Sequence, residues 1–279
     1  MKKLYDNLAY QVSKNITNTY STSFSLGIKA LHPSIRPAIY AIYGYVRIAD
    51  EIVDSFHDYD KSTLLNDFII DTQKALRDKI SLNPVLQSFQ ETVYKYNIDK
   101  SLIDQFLHSM AMDLEFSTYS KASYEEYILG SAEVVGLMCL YVFVEGDKTK
   151  YEELKPYAMK LGSVFQKINF LRDLKDDYYT LGRSYFPEVD LMNFKNEDKL
   201  NIENEIKKEF KEALIGIKLL PSSSKLGVYL AYRYYWKLFK KIQLKSCLQI
   251  TQQRTRVPDT EKLFIMVTTY FNLRIGNIS

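Results

Sequence analysis

The chain has 279 residues, of which 46% are hydrophobic and 25% are charged, and its formal net charge is +3. A charge this small gives no basis for nucleic-acid binding, and no helix-turn-helix, zinc-finger or other nucleic-acid motif accompanies it. The three histidines are too scattered in the sequence for a zinc site. No linker, low-complexity segment or repeat interrupts the chain, so we expect one domain over residues 1–279.

Apolar residues recur with helical spacing along most of the chain, and strand-like alternation is nowhere sustained. Proline, glycine and serine mark the breaks between these segments. We therefore predict an all-α fold. The predicted helices cover residues 4–18, 35–56, 61–79, 84–96, 99–116, 123–145, 150–178, 201–218, 224–247 and 259–275.

Two of these apolar helices end in a pair of aspartates spaced four residues apart. Asp50 and Asp54 form the first pair, and Asp173 and Asp177 form the second. Residues i and i+4 lie on the same face of a helix, so the two carboxylates of each pair repel one another unless a cation lies between them. This spacing on two apolar helices is the most informative feature of the chain.

Polar residues extend the stripe that each pair begins. Tyr43 and Arg47 share an arc of roughly 60° with the first pair, and Gln166 and Asn169 share an arc of roughly 80° with the second. Helices that are apolar nearly all round are buried, so we expect both polar stripes to line an internal cavity. Ionised carboxylates in such a cavity are too costly unless they are paired or coordinate a metal.

Two interpretations of the aspartates compete. In the structural one, the first pair binds Arg47, Asp173 and Asp176 bind Arg172, and both helices end at solvent. In the functional one, the two pairs hold magnesium around a diphosphate, because Mg²⁺ takes one or two carboxylates, waters and substrate phosphate oxygens. The spacing of an EF-hand calcium loop is absent from both segments. The presence of two such pairs favours Mg²⁺, with Mn²⁺ as the alternative metal.

Several segments, in matching order, resemble the squalene/phytoene synthase family of head-to-head prenyl synthases, and within it the bacterial phytoene synthases most. The resemblance covers nearly the whole chain. Glu133 and Val134 depart from it, because they stand in a turn where the family commonly has Gly and Thr. The matching segments are residues 20–24 (YSTSF), 40–54 (YAIYGYVRIADEIVD), 136–138 (GLM), 165–173 (FQKINFLRD), 182–187 (GRSYFP) and 254–258 (RTRVP).

This resemblance implies an isoprenoid-synthase helical bundle with a central cavity and a prenyltransferase of carotenoid biosynthesis. The implied reaction condenses two geranylgeranyl diphosphates to phytoene through prephytoene diphosphate, without NADPH. The alternatives are farnesyl diphosphate as substrate, giving dehydrosqualene or, with NADPH, squalene, and a non-catalytic assembly factor of the same fold.

The family's functional residues carry over to matching positions of this chain. The metal-binding and catalytic aspartates are Asp50, Asp54, Asp173 and Asp177. Tyrosines that line the reaction centre are Tyr127 and Tyr235. Substrate-binding residues are Tyr20, Ser21, Ser23, Tyr43, Arg47, Gln166, Asn169, Arg172 and Arg254.

The chemistry of such a reaction agrees with the composition. A carbocation needs a dry cavity with aromatic walls, which stabilise it by cation–π attraction, and the chain has 23 tyrosines and 15 phenylalanines. The least regular stretch, about residues 179–200, follows the second aspartate pair and is a candidate lid that excludes water.

The sequence also gives expectations about location. The chain begins with Met-Lys-Lys and lacks an apolar signal segment, so we expect a cytoplasmic protein. Residues 225–256 contain lysines and arginines but no acidic residue. This basic segment is interpreted as a solvated helix face, as a site where Arg254 meets diphosphate, or as a surface for peripheral contact with the inner face of the membrane. In the last case, anionic lipid headgroups would meet Lys237, Lys240, Lys241 and Lys245.

Overall fold

The computed structural model describes residues 1–115, 118–179, 183–187, 189 and 194–274, without the side chains of 176–179 and 273–274. Within these residues no strand forms, and an isolated parallel bridge joins Thr118 to Ser184. The all-α prediction is confirmed. The helices are α1 (Lys2–Tyr20), α2 (Thr22–Lys29), α3 (Arg36–Asp54), α4 (Lys61–Asp78), α5 (Pro84–Tyr96), α6 (Lys100–Glu115), α7 (Lys121–Ile128), a π-helical turn (Leu129–Glu133), α8 (Val134–Phe143), α9 (Lys148–Tyr179), α10 (Asn196–Leu219), α11 (Ser222–Gln243), α12 (Cys247–Gln252) and α13 (Asp259–Arg274).

Each predicted helix is present, with ends that differ by a few residues, but α2 and α12 were not predicted as helices of their own. Both are short and owe their start to a capping serine. Ser21 accepts a hydrogen bond from the backbone of Phe24, and Ser246 forms a capping box with Gln249. Helices of eight and six residues are too short to show a clear apolar period. The irregular stretch predicted at 179–200 is shorter than expected, because α9 continues to Tyr179 and α10 begins at Asn196.

Helix α3, which carries the first aspartate pair, is fixed by close packing against α1 and α5. The ring of Tyr45 is fully buried and stacks on Phe89 with centroids 3.7 Å apart. A Cβ atom at Gly44 would lie 2.9 Å from the Cβ of Ser13 on α1, which is closer than two such atoms tolerate. The two helices can come this close because Gly44 has no side chain. The Ser13 hydroxyl in turn lies 2.8 Å from that of Ser88 on α5.

Helix α9, which carries the second pair, packs against α10, α8 and the π-helical turn. A Cβ atom at Gly162 would lie 2.6 Å from the carbonyl oxygen of Ala132 in that turn. On the opposite side, buried Lys167 forms an ion pair of 2.9 Å with buried Glu209 of α10. These contacts hold α9 in place beside the cavity.

One stretch of the described chain, Lys121–Phe143, is long and apolar enough by length and composition to cross a membrane, and 44% of its most apolar 18 residues are buried within the fold. It spans α7, the π-helical turn and α8. Val135, Gly136 and Cys139 from this stretch line an internal cavity, as expected of a core helix.

Candidate active site

An internal cavity of about 410 Å³ lies among α2, α3, α8, α9, α10 and α11. Much of its wall is apolar, with Ile28, Leu31 and Val228 among the lining side chains. The polar part comes from the C-terminal halves of α3 and α9, as the two stripes predicted, and from segments near the ends of α1 and α12. The predicted site residues that line the cavity are Tyr20, Ser21, Tyr43, Arg47, Asp50, Gln166, Asn169, Arg172 and Arg254.

In the first aspartate pair, the two carboxylates have different surroundings. Asp50 faces the cavity, and its burial, followed by the nearby charge of Asp54, raises its pKa to about 8. Asp54 is bound by Arg183, with 2.8 Å between its Oδ1 and the guanidinium Nη1. Arg47 forms its ion pair with Glu51 instead. The structural interpretation in which Asp50 and Asp54 form ion pairs with Arg47 is therefore wrong.

In the second aspartate pair, Asp173 is bound by two arginines. Asp173 receives Arg172 at 2.9 and 2.5 Å, and the Nε of Arg254 lies 2.8 Å from its Oδ1. The pairing of Asp173 with Arg172 agrees with the structural interpretation, but Arg254 also lines the cavity. The side chains of Asp176 and Asp177 lie outside the described residues, so the predictions for them are not tested.

Two neighbouring tyrosines connect the aspartate pairs. Burial raises the pKa of Tyr43 to about 12, and the charges of Tyr235 and Asp50 add to this shift. Burial also raises the pKa of Tyr235, and the charge of Asp173 adds to it. Both rings lie beside Phe24, with centroids 5.4 Å from it for Tyr43 and 6.0 Å for Tyr235, so the two polar stripes meet in one region of the cavity.

Aromatic rings surround the same region. Phe24 lies 5.4 Å from Tyr43 and 6.3 Å from Phe165 between ring centroids. Tyr235 stacks on Phe165 at 3.9 Å. Such ring faces attract a cation by on the order of 2 kcal/mol when water is excluded. The predicted aromatic wall is thus present beside the carboxylates.

Hydrogen-bonding groups complete this end of the cavity. Tyr235 donates to the Oδ1 of Asn169 at 3.2 Å, and the amide of Asn169 lies 3.5 Å from the oxygen of Gln166. The Nε of Arg47 is buried and, among the described residues, has no hydrogen-bond partner. An unpaired buried donor beside an internal cavity fits an anionic ligand such as a diphosphate.

The segment 20–24 contributes two of its three predicted site residues to the cavity wall. The guanidinium of Arg47 lies 4.5 Å above the ring of Tyr20. Ser21 lines the cavity while its hydroxyl caps α2. Ser23 is half-buried and is not among the residues that line the cavity, so its predicted contact with substrate is not evident in the structure.

Tyr127 also lies away from the cavity wall, and it leads to a functional candidate that the sequence did not reveal. Its hydroxyl donates to the Oδ2 of buried Asp113 at 2.6 Å. The Oδ1 of Asp113 accepts from Tyr119 at 3.0 Å and from Tyr185 at 3.1 Å, and Arg183 lies 3.8 Å away. The sequence does not distinguish Asp113, because it is one of three acidic residues on α6.

The first aspartate pair fits a magnesium ion. Within the described ranges, no three histidine, cysteine or acidic side chains come together as a metal site. Magnesium, however, requires only one or two carboxylates when water and phosphate complete its shell. Burial and the charge of Asp54 hold the pKa of Asp50 well above its ordinary value although the charge of Arg47 lowers it, so a further cation at this carboxylate would be favourable. Magnesium at this pair remains a prediction, supported by the oxygen donors present.

Comparisons with known proteins agree with the resemblance noted in the sequence. The model of the squalene/phytoene synthase family matches residues 17–261. The chain is 27% identical to a chloroplastic phytoene synthase from an Oncidium hybrid cultivar, over 95% of this chain and 68% of the relative. It is 26% identical to a 4,4'-diapophytoene synthase from Staphylococcus haemolyticus, over 75% of this chain and 70% of the relative.

A solved structure extends the agreement to the fold. The crystal structure of a dehydrosqualene synthase in complex with ligand matches with a TM-score of 0.82 and 19% sequence identity, covering 96% of this chain and 98% of that one. The predicted isoprenoid-synthase bundle is thereby confirmed. The chain belongs to the squalene/phytoene synthase family, whose members are prenyltransferases that act on prenyl diphosphates.

Proposed function

We propose that this protein condenses two molecules of geranylgeranyl diphosphate head to head into phytoene, through prephytoene diphosphate, in carotenoid biosynthesis. The observation that carries the proposal is the cavity itself. Its apolar wall suits isoprenoid chains, and the polar stripes of α3 and α9 meet at one region with arginines and an aromatic wall. Phytoene synthases among the relatives favour the longer substrate.

In the proposed mechanism, the arginines bind the diphosphate groups and the rings shelter the cation. Arg47 offers its unpaired Nε, and Arg172 and Arg254 stand beside the same cavity. Magnesium held by the aspartates would neutralise the departing diphosphate as a Lewis acid, a contribution of several kcal/mol. The faces of Tyr43 and Phe165 then border the allylic cation and keep water from it.

The proposed reaction needs no reductant. The first C–O bond breaks with its electron pair leaving on diphosphate, and a double bond of the second substrate attacks the cation. Loss of a proton closes the cyclopropane ring of prephytoene diphosphate. The second diphosphate then leaves, the carbon skeleton rearranges, and loss of another proton forms the central double bond. We propose the departing diphosphate as the base, with a tyrosine as the alternative. Because the final cation loses a proton instead of taking up a hydride, we expect no NADPH requirement.

Two alternatives keep the fold but change the outcome. Farnesyl diphosphate would give dehydrosqualene by the same steps, or squalene if NADPH supplied a hydride, and the match to a 4,4'-diapophytoene synthase supports the shorter substrate. A non-catalytic assembly factor of this fold would not need an intact metal site, whereas Asp50, Asp54 and Asp173 stand in the arrangement described above.

The test is to incubate the purified protein and Mg²⁺ with farnesyl or geranylgeranyl diphosphate, with and without NADPH, and to identify the hydrocarbon by mass spectrometry. Phytoene from geranylgeranyl diphosphate without NADPH is the expected result. Dehydrosqualene or squalene would correct the substrate, and no product from folded protein would favour the assembly factor. The Asp50→Asn variant serves as the inactive control, and Asp71→Asn, at an exposed position of α4, serves as the active one.

We propose further that the protein is cytoplasmic and contacts the inner face of the membrane peripherally, since its product is a hydrocarbon. The lysines first considered for this contact are largely engaged. Lys237 and Lys241 pair with Glu261 at 3.4 and 2.6 Å, and Lys240 lies 4.7 Å from the ring of Trp236. Exposed apolar side chains on α13 therefore carry the proposed contact; they are Leu263, Phe264, Val267, Tyr270 and Phe271.

Sedimentation with anionic liposomes tests the membrane contact. Replacing Phe264 and Phe271 together with serine should reduce the bound fraction several-fold, because exposed aromatic rings supply most of the apolar area. The same change at exposed Leu82, which lies in the loop before α5, should leave binding unaltered. Equal binding by all three proteins would refute a role for α13.

A further inference from the structure

A buried charged cluster around Asp113 takes no part in the mechanism proposed above. Asp113 on α6 has 6% of its surface exposed, and three tyrosine hydroxyls donate to it. We propose that Asp113 is a positioning residue that orients Tyr127 and docks residues 183–187, the flap segment, onto the first aspartate pair. The inference rests on the proposed prenyl transfer, because its consequence is the exclusion of water from the cation.

The first step of the argument is how the flap segment is attached. Arg183 donates to Asp54 at 2.8 Å and to the carbonyl oxygen of Val53 at 3.1 Å, and it lies 3.8 Å from Asp113. Although burial alone would lower the pKa of Arg183, the charges of Asp113, Tyr185 and Asp54 raise it. One buried guanidinium thus joins the flap segment, the end of α3 and Asp113.

The second step is that Asp113 also fixes the flap segment through Tyr185. The Tyr185 hydroxyl donates to Asp113 at 3.1 Å, and its ring stacks on Phe170 with centroids 4.1 Å apart and planes 13° from parallel. Phe170 follows the cavity-lining Asn169 on α9. A displacement of Tyr185 would therefore disturb α9 at the level of the reaction site.

The third step concerns Tyr127, which the family resemblance places at the reaction centre. Its ring lies 5.2 Å from that of Tyr185, and its hydroxyl makes the shortest of the three tyrosine bonds to Asp113, at 2.6 Å. A hydroxyl that donates to a buried carboxylate is held in one rotamer, since the cost of leaving either group unpaired is high. Asp113 thus connects α7, the flap segment and the first aspartate pair through a single carboxylate.

The consequence is measurable in the products. A cation exposed to water is captured by the water oxygen, which loses a proton to solvent and leaves a prenyl alcohol in place of a new carbon–carbon bond. Asp113→Asn keeps the size of the side chain but removes its charge and places an amide NH₂ among the donors. We expect the ratio of alcohol to hydrocarbon to rise at least about fivefold and kcat to fall about 10- to 100-fold, with KM within about threefold of wild type.

The experiment uses the full chain with Mg²⁺ and geranylgeranyl diphosphate, or farnesyl diphosphate if the wild type uses that substrate, and separates alcohol and hydrocarbon products by mass spectrometry. The control is Asp104→Asn, at an exposed position on the same helix, which should match the wild type. The product ratio does not depend on the fraction of protein that is folded, so a purely structural role would lower the yield without changing it.

A double-mutant cycle tests the link to Tyr127. If Asp113 acts through that hydroxyl, the Asp113→Asn/Tyr127→Phe protein should be no more impaired than the worse single variant. If Asp113→Asn does not fold, Tyr127→Phe and Tyr185→Phe should each raise the alcohol fraction. An unchanged product ratio in the folded variants would overturn the inference while the proposed function stands. A wild type without any product would overturn both.

Discussion

The Nε of Arg254 lies 2.8 Å from the Oδ1 of Asp173, so an arginine occupies the place where a metal ion is expected. The Nη1 of Arg183 likewise lies 2.8 Å from the Oδ1 of Asp54. Among the described residues, Asp50 alone of these aspartates has no ion pair, and its pKa is raised to about 8 by burial and by the charge of Asp54. Arg183 and Arg254 thus partly neutralise Asp54 and Asp173, and we expect a bound diphosphate to compete for both guanidinium groups.

The raised pKa of Asp50 predicts how the stability of the metal-free protein depends on pH. The folded value, about 8, lies above the ordinary 3.8, so the folded state holds the proton more tightly than the unfolded state. Stability therefore falls as pH rises between these values. Asp50→Asn removes this loss, and we expect it to stabilise the metal-free protein at pH 8 by roughly 1–3 kcal/mol, or about 2–4 °C in Tm per kcal/mol.

Thermal unfolding in EDTA at pH 5 and pH 8 measures the effect. The difference in Tm between Asp50→Asn and the wild type should grow from the lower to the higher pH. Asp71→Asn, at an exposed position, should show no such dependence. A constant difference at both pH values would contradict the assigned pKa.

Metal binding should be accompanied by proton release. Because Asp50 is largely protonated at pH 7 in the metal-free protein, a cation that binds its carboxylate must displace that proton. Calorimetric titration with Mg²⁺ in two buffers of different ionisation enthalpy should give a release of up to about one proton per ion at pH 7 and less at pH 9. Identical heats in both buffers at pH 7 would count against Asp50 as a ligand.

Asp50→Asn and Asp173→Asn should each lower turnover by about 10²- to 10⁴-fold, since a Lewis acid at the diphosphate supplies several kcal/mol of charge stabilisation. Circular dichroism should show unchanged helical content in both variants. Activity close to the wild-type level in either one would remove that aspartate from the metal site. Loss of helical structure on replacing Asp173 would instead support the structural interpretation, in which its carboxylate forms ion pairs with Arg172 and Arg254.

Arg47 should affect substrate binding more than turnover. Its buried Nε has no partner among the described residues, so we expect it to bind diphosphate oxygens in the complex. Arg47→Lys keeps the charge but loses the planar fork, and KM should rise about tenfold, which corresponds to roughly 1.4 kcal/mol. Arg77→Lys, at an exposed position, is the matched control. An unchanged KM would assign Arg47 to its ion pair with Glu51 alone.

The sequence predicted those parts of the molecule that follow from local pattern. The stripes of Tyr43, Arg47 and Asp50 and of Gln166 and Asn169 face the cavity because helical spacing alone decides which residues share a face. The family resemblance added Arg254, which helical spacing does not link to the aspartates.

What local pattern did not reveal depends on contacts between distant segments. The partner of Arg47 proved to be Glu51, because a rotamer and not the spacing chooses between neighbouring carboxylates on one helix. Asp113 became a candidate only when α6, α7 and the flap segment brought donors to it from separate parts of the chain. The spacing of residues within a single helix cannot predict contacts of this kind between separate segments.

The close approach of α1 and α3 predicts a specific stability defect. A methyl group at Gly44 would lie 2.9 Å from the Cβ of Ser13, closer than side chains tolerate, so Gly44→Ala should cost about 1–3 kcal/mol through overpacking. At Gly27 an added Cβ meets the nearest atom at an ordinary 3.4 Å, so Gly27→Ala should leave Tm unchanged or slightly higher.

A second substitution tests whether overpacking is the cause. In the Gly44→Ala background, Ser13→Gly removes the Cβ atom that clashes, although it also removes the contact with Ser88. We therefore expect it to restore only part of the lost Tm, and Ser13→Gly alone should lower Tm. If the two changes instead destabilise additively, the defect arises from something other than the α1–α3 contact, because a relieved clash must appear as a favourable coupling between the two positions.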